Sequence, residues 1–220
     1  HPVIFGPWPF VTDLRTGSFS GGSGEEALMG AASAQITNHY GLASSVGAGM
    51  TDSKSPDAQA GYEKGITVVM AALAGCNNVS ESSGMMASLI GYSYESLVID
   101  NEMLGMVMRT VRGIEVNEET LSYRAIKDTV EGEGHFLRDP QTLALMKTEY
   151  LYPTLADRST QEEWEAEGSP DIRQRAEKRA REILNSHYPV YIDDATDKKV
   201  RDTFPIEISR DVIKPTKDRF

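Results

Sequence analysis

A short polar segment with side chains suited to ligand binding follows a run of small, apolar residues. The predicted strand at residues 42–48 is followed by five functional side chains: Met50, Thr51, Asp52, Ser53 and Lys54. Because Pro56 can open a helix, we predict a strand–loop–helix unit here. In parallel α/β folds the ligand binds at that end of the strands. We expect a binding site in this loop. The alternative is that Gly47 and Gly49 only ease a turn and that Asp57 only caps a helix.

Aromatic and acidic side chains also stand near the ends of other predicted strands. In chain order these are Trp8 and Phe10 after a strand at residues 3–6, Glu81 at the end of a strand at residues 77–81, and Asp100 and Asn101 after an apolar run at residues 94–98, which could be a strand or the start of a helix. Aromatic faces beside a carboxylate commonly hold a quaternary ammonium group. A carboxylate in an apolar strand is costly unless it meets a cation, either a ligand or Lys54. The alternative is that Trp8 and Phe10 belong to the core and that Glu81 pairs with Lys54.

The elements that position these residues alternate between strand and helix over residues 1–113. Between and after the three strands we predict helices at residues 23–39, 58–74 and 100–112. Ser23 and Glu26 have the spacing of a capping box at the start of the first helix. The glycine-rich loop at residues 17–24 lacks the lysine of a phosphate loop, so we interpret it as a flexible lid or a close backbone contact. Units of this kind about every 35 residues are typical of parallel α/β folds.

After residue 113 the sequence changes to helices joined by polar turns. We predict helices at residues 118–130, 140–150, 160–167 and 170–187, the last capped by Ser169, and then a mixed tail at residues 188–220. We therefore divide the chain into βα units at residues 1–113 and a helical extension at residues 114–220 that packs on them. Three or four βα units cannot close a barrel, which takes eight. The fold is then either a small open sheet or the C-terminal part of a barrel, with residues missing before His1.

Charge and composition limit the classes of partner. The chain has 22 basic and 33 acidic residues, a net charge of -11, so it lacks the basic surface that nucleic acid requires. A hydrophobic fraction of 40% and a mean hydropathy of -0.37 are typical of a globular protein without a membrane span. Cys76 is the only cysteine, which excludes an internal disulfide and predicts a reducing, cytoplasmic compartment.

Several common catalytic motifs are missing from the sequence. Cys76 and four scattered histidines form no zinc motif, and there is neither a Gly-x-Ser-x-Gly nucleophile motif nor a phosphate loop. We therefore predict no metal site and assign no catalytic residue. An acidic protein can attract a cationic ligand, which agrees with the strand-end residues described above.

Five segments, in order, resemble the trimethylamine methyltransferase family. They lie at residues 46–64, 72–75, 84–86, 97–102 and 113–121, and include Gly84-Met85-Met86 and Leu97-Val98-Ile99-Asp100-Asn101-Glu102. The likeness covers at least residues 1–170 and corresponds to the C-terminal half of the family. It implies part of a (βα)8 TIM barrel followed by additional helices. It also implies corrinoid-dependent methyl transfer, in which the cobalamin is carried by a separate corrinoid protein and is not bound directly.

The resemblance places Met50 where the trimethylamine enzymes of the family carry pyrrolysine. Pyrrolysine offers an electrophilic imine that holds a tertiary amine, whereas a thioether has no electrophilic carbon and cannot form that adduct. Family members without pyrrolysine look like enzymes for quaternary amines such as glycine betaine. We therefore predict a methyl donor that is already cationic and that leaves a neutral tertiary amine behind.

The predicted substrate-binding residues combine this resemblance with the residue types. They are Met50, Asp52, Lys54, Glu81, Trp8 and Phe10. Met50 would line the pocket, Asp52 and Glu81 would make it negative, and the two aromatic rings would face the ammonium group. Lys54 would offset Asp52 or meet a substrate carboxylate. Only Met50 matches a family position; the other roles are inferred from chemistry.

Two functions of other classes remain open from the sequence. One is a non-catalytic amine-binding or regulatory protein on the same fold, and the other is a purely structural α/β domain. We also predict a homo-oligomer. Because part of a barrel exposes sheet edges, residues 1–220 alone are expected to self-associate.

Overall fold

The computed structural model describes residues 1–210 and has a mixed α/β architecture with a parallel sheet. Three strands form that sheet in the order β1 (Ile4–Phe5), β4 (Ala43–Gly47) and β5 (Asn78–Ser80). Both pairings are parallel, with Ile4 opposite Ala43 and Val46 opposite Val79. Neighbouring strands therefore end at one edge, as the strand–helix alternation of the sequence predicts.

Two helices connect these strands. Helix α1 spans Gly24–His39 and helix α2 spans Ala58–Leu73, and the two pack against each other while α1 also packs on β4. Ser23 caps α1 by accepting from the Glu26 amide at 3.2 Å, and Asp57 caps α2 by accepting from the Ala60 amide at 3.0 Å. These caps fix the helix starts close to the predicted positions. The alternative interpretation of Asp57 as a helix cap is thus confirmed.

The third long helix decides between the two alternatives for residues 94–98, a strand or the start of a helix. Helix α3 spans Tyr94–Arg112, and its cap Ser93 accepts from the Ser96 amide at 3.1 Å. Asp100 and Asn101 therefore lie inside a helix and not after a strand, so their assignment to the strand-end site was wrong. A short apolar run is compatible with strand or helix, and the serine cap decides for helix.

Two short hairpins lie in the loops at the strand ends. The first pairs β2 (Val11–Thr12) with β3 (Phe19–Ser20), and the second pairs β6 (Met85–Met86) with β7 (Gly91–Tyr92). The turn of the second hairpin holds three consecutive residues in the left-handed region: Ala87, Ser88 and Leu89, with φ of 50°, 54° and 72°. Such backbone is strained and persists only where neighbouring contacts hold it. Here the Ala87 and Ser88 amides donate to the Ser53 and Thr51 carbonyls at 2.8 and 2.9 Å.

The rest of the described chain is helical, as predicted. Helices α4 to α8 and one 3-10 helix span Tyr123–Glu131 (α4), Phe136–Arg138 (3-10), Pro140–Thr148 (α5), Gln161–Ala166 (α6), Ile172–Ser186 (α7) and Asp194–Thr203 (α8). Helix α7 packs against α3. The predicted tail at residues 188–220 contains α8, and its final residues 211–220 lie outside the described residues.

Two helix starts differ from the prediction because of local side-chain bonds. The Asn117 side chain accepts from the Glu119 and Thr120 amides, which forms a turn and delays α4 to Tyr123. Helix α7 is capped by Asp171, which forms a capping box with Gln174, and not by Ser169. The division of the chain at residue 113 remains a prediction.

The hydrophobic core lies between the sheet and helices α2 and α3. It consists of Val46, Ala48, Val68, Ala71 and Val107. Beside it a fully buried ion pair joins Lys64 of α2 to Asp100 of α3, with Nζ and Oδ2 2.5 Å apart. Among residues 1–210 no helix is both long and apolar enough to cross a membrane.

Candidate functional site

Met50 lies at the carboxyl end of β4, beneath an aromatic side chain. A β-carbon built on Gly47 would be 3.4 Å from the Met50 methyl carbon and 3.6 Å from the Trp8 ring, so the thioether and the indole flank the same small residue. On the other side, a β-carbon on Gly21 would be 3.3 Å from the Met50 β-carbon. Met50 is fully buried, whereas Trp8 is 38% exposed. Met50 is thus enclosed near the partly exposed Trp8, and its role in lining a pocket remains a prediction.

Three aromatic rings form a cluster beside Met50. Trp8 meets Phe10 edge to face with ring centroids 6.3 Å apart, and Phe10 meets Phe19 in the same way at 4.8 Å. Phe10 is 39% exposed, about as much as Trp8. Neither ring belongs to the hydrophobic core, so the alternative that placed both there was wrong. Partly exposed aromatic faces remain able to contact a cation.

Asp52 joins three loops at the strand ends. Its two carboxylate oxygens accept from the Ser20 hydroxyl at 2.7 Å, the Gly21 amide at 2.7 Å and the Ser88 hydroxyl at 2.5 Å. Burial raises the pKa of Asp52, but these hydrogen bonds, led by Ser88, outweigh it and hold the pKa below its ordinary value. Asp52 therefore stays ionised, and its charge is compensated mainly by neutral donors.

Glu63 of α2 fixes the backbone of the same loop. It accepts from the Thr51 hydroxyl at 2.5 Å and from the Asp52 amide at 2.8 Å, while its other oxygen accepts from Gln59 at 2.8 Å. Gly22 lies directly against this carboxylate. Glu63 and Gly22 thus hold the glycine loop before α1 onto the loop after β4, which is the close backbone contact that the sequence offered as one interpretation of residues 17–24.

Glu26 is the third acidic side chain of this region, and its carboxyl group has no partner among residues 1–210. Its side chain is 2% exposed, and neither oxygen has a hydrogen-bond partner among residues 1–210. Burial, followed by the negative charges of Asp52 and Glu63, raises the pKa of Glu26 to about 8. The predicted capping box is therefore only half formed, since Ser23 caps the helix but the Glu26 carboxyl points into the protein.

The remaining predicted site residues have different surroundings. Lys54 is exposed and donates to the Asp52 carbonyl at 2.7 Å, so it lies near Asp52 as one prediction proposed. Glu81 is exposed, one residue beyond β5, with a left-handed φ of 61°. In the described part of the chain Glu81 and Lys54 form no ion pair, so the alternative that paired them was wrong. The argument from a buried carboxylate in strand three also fails, because the turn directs Glu81 to the surface.

Sequence reasoning missed Glu26 and Glu63 as members of the site. Each shares a helix face with small buried residues, namely Gly30 and Ala34 for Glu26 and Ala60 for Glu63. An acidic side chain at the period of an otherwise small, apolar face is the signal that would have found them. Ser20 and Ser88 carry no comparable signal, since exposed loop serines are common.

The chain shares its sequence pattern with known methyltransferases. A sequence model described as trimethylamine methyltransferase (MTTB) matches residues 1–206. The chain therefore belongs to the trimethylamine methyltransferase family.

Individual relatives agree with this membership. The chain is 38% identical to a glycine betaine methyltransferase of Desulfitobacterium hafniense (strain Y51), over 91% of the chain and 41% of that protein. It is 37% identical to a trimethylamine methyltransferase MttB of Desulfitobacterium hafniense (strain DSM 10664 / DCB-2), over 86% of the chain and 37% of that protein. It is 38% identical to MttB of Methanosarcina thermophila, over 87% of the chain and 39% of that protein. The chain thus spans well under half the length of these curated relatives.

The contact between Gly22 and Glu63 leads to a testable prediction about stability. A β-carbon at Gly22 would lie 2.7 Å from the nearer Glu63 oxygen and 2.8 Å from the Glu63 β-carbon. Gly22→Ala must therefore push the glycine loop before α1 away from Glu63 of α2. We expect a loss of about 1–3 kcal/mol in the free energy of unfolding. Urea denaturation measures it. Gly24→Ala, where the added methyl meets open space, is the control and should lose no stability. Equal stability of the two variants would contradict the described packing.

Proposed function

We propose that the intact protein is a methyltransferase that moves a methyl group from a quaternary amine of the glycine betaine type to Co(I) of a corrinoid protein. The observation that carries the proposal is Met50, a thioether without an electrophilic carbon, at the end of β4 and directly beside Trp8. One family relative is named for glycine betaine, and the others for trimethylamine. In this proposal the three parallel strands belong to a (βα)8 TIM barrel, whose ligands bind at this end of the strands.

The electrostatics of the site favour a cation. Asp52 is held ionised by hydroxyl and amide donors, and Glu63 is likewise bound by neutral donors. Lys54 is the nearby base, and its ammonium group is turned to a backbone carbonyl. The region around Met50 therefore carries more negative than positive charge, with Lys54 as the nearby cation, and a quaternary ammonium group would offset that excess.

The aromatic surface suits the chemistry better than a tight ion pair. As the methyl group leaves, the positive charge on nitrogen disperses and then disappears. An enzyme that bound the cationic ground state strongly would raise the barrier to that step. Trp8 and Phe10 would instead hold the methyl groups by cation–π contact, and the acids of the loop would act from a distance.

The tasks of this chain are then binding, orientation and exclusion of water. The loop after β4, fixed by Asp52 and Glu63, would place one N-methyl group towards the open end of the strands. The corrinoid would be the second substrate, carried by its own protein and presented at that end. We further propose that the protein works in the cytoplasm, where Cys76 stays reduced, and as a homo-oligomer.

A methyl-transfer assay tests the proposal. The intact protein is mixed with glycine betaine and a Co(I) corrinoid protein, and the absorbance of the methylated corrinoid is followed together with dimethylglycine. Both products should appear together, and trimethylamine should give neither. Binding heat without either product would favour a non-catalytic amine-binding protein. No effect of any amine on the melting temperature would favour a purely structural domain.

A further inference from the structure

The buried carboxyl of Glu26 does not stabilise the fold through a hydrogen bond to any of the described residues. Both of its oxygens are shielded from solvent and lack a partner among the described residues. An unpartnered buried polar group destabilises a protein, so an acid at this position requires another explanation. Glu26 lies in the first turn of α1, shortly after Gly21 and Gly22 in the chain. These two glycines lie against Met50, Asp52 and Glu63.

Glu26 therefore belongs to the same acidic cluster as the proposed amine site. The charged groups that face it are Asp52, on the loop before α2, and Glu63, on α2 itself. Lys54 lies beside Asp52, and Glu25 is exposed on the same turn of α1. Asp52 and Glu63 each accept three hydrogen bonds, whereas the two Glu26 oxygens have no partner among the described residues, so Glu26 is the member of the cluster without a hydrogen-bonding role.

We propose that Glu26 is a proton-linked positioning residue of the amine site: it gives up its proton to solvent when a quaternary ammonium group binds beside Asp52. The inference rests on the proposed function. The exchange is balanced at the acidic cluster, because the trimethylammonium group brings one positive charge and the released proton carries one away, while Lys54 would meet the carboxylate of glycine betaine. Glu26 acts through its field and not by contact, since its oxygens are enclosed.

This exchange connects binding to the chemical step. Before the ligand arrives, the protonated form of Glu26 avoids a third negative charge in a poorly solvated cluster. With the cation present, the ionised form adds to the attraction. After methyl transfer the amine is neutral, so Glu26 takes its proton back and the site loses its extra hold on the product. Glu26 would thus tighten binding of the quaternary substrate without tightening binding of the tertiary product.

Isothermal titration calorimetry of the intact protein with glycine betaine tests this inference. Near pH 7, titrations in phosphate and in Tris should differ in heat by an amount that corresponds to nearly one proton released per ligand bound. Near pH 9 the release should vanish, because Glu26, with a pKa of about 8, is already ionised there. The same linkage predicts binding about tenfold tighter near pH 9 than near pH 7.

Matched variants and a matched ligand show whether Glu26 is the group that releases the proton. Glu26→Gln should bind with the same affinity at both pH values and release no proton, while Glu25→Gln should behave like the unmodified protein. The carbon analogue 3,3-dimethylbutyrate keeps the carboxylate of glycine betaine but lacks its positive charge, so it should release no proton from the unmodified protein or from Glu26→Gln. Betaine binding without proton release, or a release that Glu26→Gln retains, would overturn the inference and leave the proposed function standing. No binding of betaine at either pH would overturn both.

Discussion

Replacing Lys64 by methionine is expected to lower the free energy of unfolding by about 3–5 kcal/mol. Lys64 and Asp100 are 1% and 3% exposed, and the Lys64 ammonium also donates to the Ser96 hydroxyl at 2.7 Å. Methionine fills the space but leaves the Asp100 carboxylate buried without a counter-charge. Because that carboxylate accepts from the Gly84 amide at 2.8 Å, the loss also loosens the hairpin whose turn reaches Asp52 through Ser88.

A double variant separates charge from packing. Adding Asp100→Asn to Lys64→Met removes the unpaired charge and keeps an oxygen for the Gly84 amide, so most of the lost stability should return. Lys178→Met, on the exposed face of α7, is the control and should change stability by about 0.5 kcal/mol or less. Urea denaturation of the intact protein measures all three. A Lys64→Met protein as stable as Lys178→Met would show that the ion pair does not form.

Gly49→Ala is the second change with a large expected effect. Gly49 has φ of 88°, and an added β-carbon would be 2.7 Å from the Ser82 α-carbon and 2.9 Å from the nearest Val68 methyl. The backbone of Ser82 cannot rotate away, so β4 and the chain after β5 must separate. We expect a loss of more than about 3 kcal/mol, the sum of left-handed strain and overpacking. The variant should also lose affinity for glycine betaine, since Gly49 precedes Met50.

Gly41→Ala is a control with the same backbone strain and no clash. Its φ is 70°, and a β-carbon there would meet nothing within 4 Å. It should lose only about 1 kcal/mol, the cost of a left-handed alanine. The difference between the two variants in thermal or urea unfolding gives the contribution of the contact with Ser82. If the two variants were equally destabilised, the close approach of Gly49 to Ser82 would be contradicted.

Local signals in the sequence are sufficient for the parallel strands and the helices around the site, but not for the two short hairpins. Ser23 and Asp57 predict the starts of α1 and α2, and small or β-branched residues predict β4 and β5. These signals act within a few residues of the chain, so they can be interpreted without the tertiary structure. For the same reason, the position of the loop after β4 could be predicted from the sequence.

The parts that sequence reasoning missed depend on contacts between distant segments. The role of Glu63 follows from its bonds to the loop after β4, and that of Glu26 follows from its closeness to Asp52 and Glu63. Asp100 resembled a strand-end acid but is the partner of Lys64, which lies 36 positions earlier in the chain. Glu81 was predicted to end a mostly apolar strand and to meet a cation there, but it lies one residue beyond β5 with a left-handed φ and is exposed. A local pattern can mark Glu26 and Glu63 as unusual on their helix faces, but it does not encode the partners of these residues, because those are decided by packing.

A crystal structure of the intact protein with glycine betaine tests the central claim most directly. We expect the trimethylammonium group within about 6 Å of the Trp8 ring centroid, on the side of the loop that carries Met50 and Asp52. A ligand bound elsewhere, with Trp8 and this loop free of contact, would contradict the proposed site.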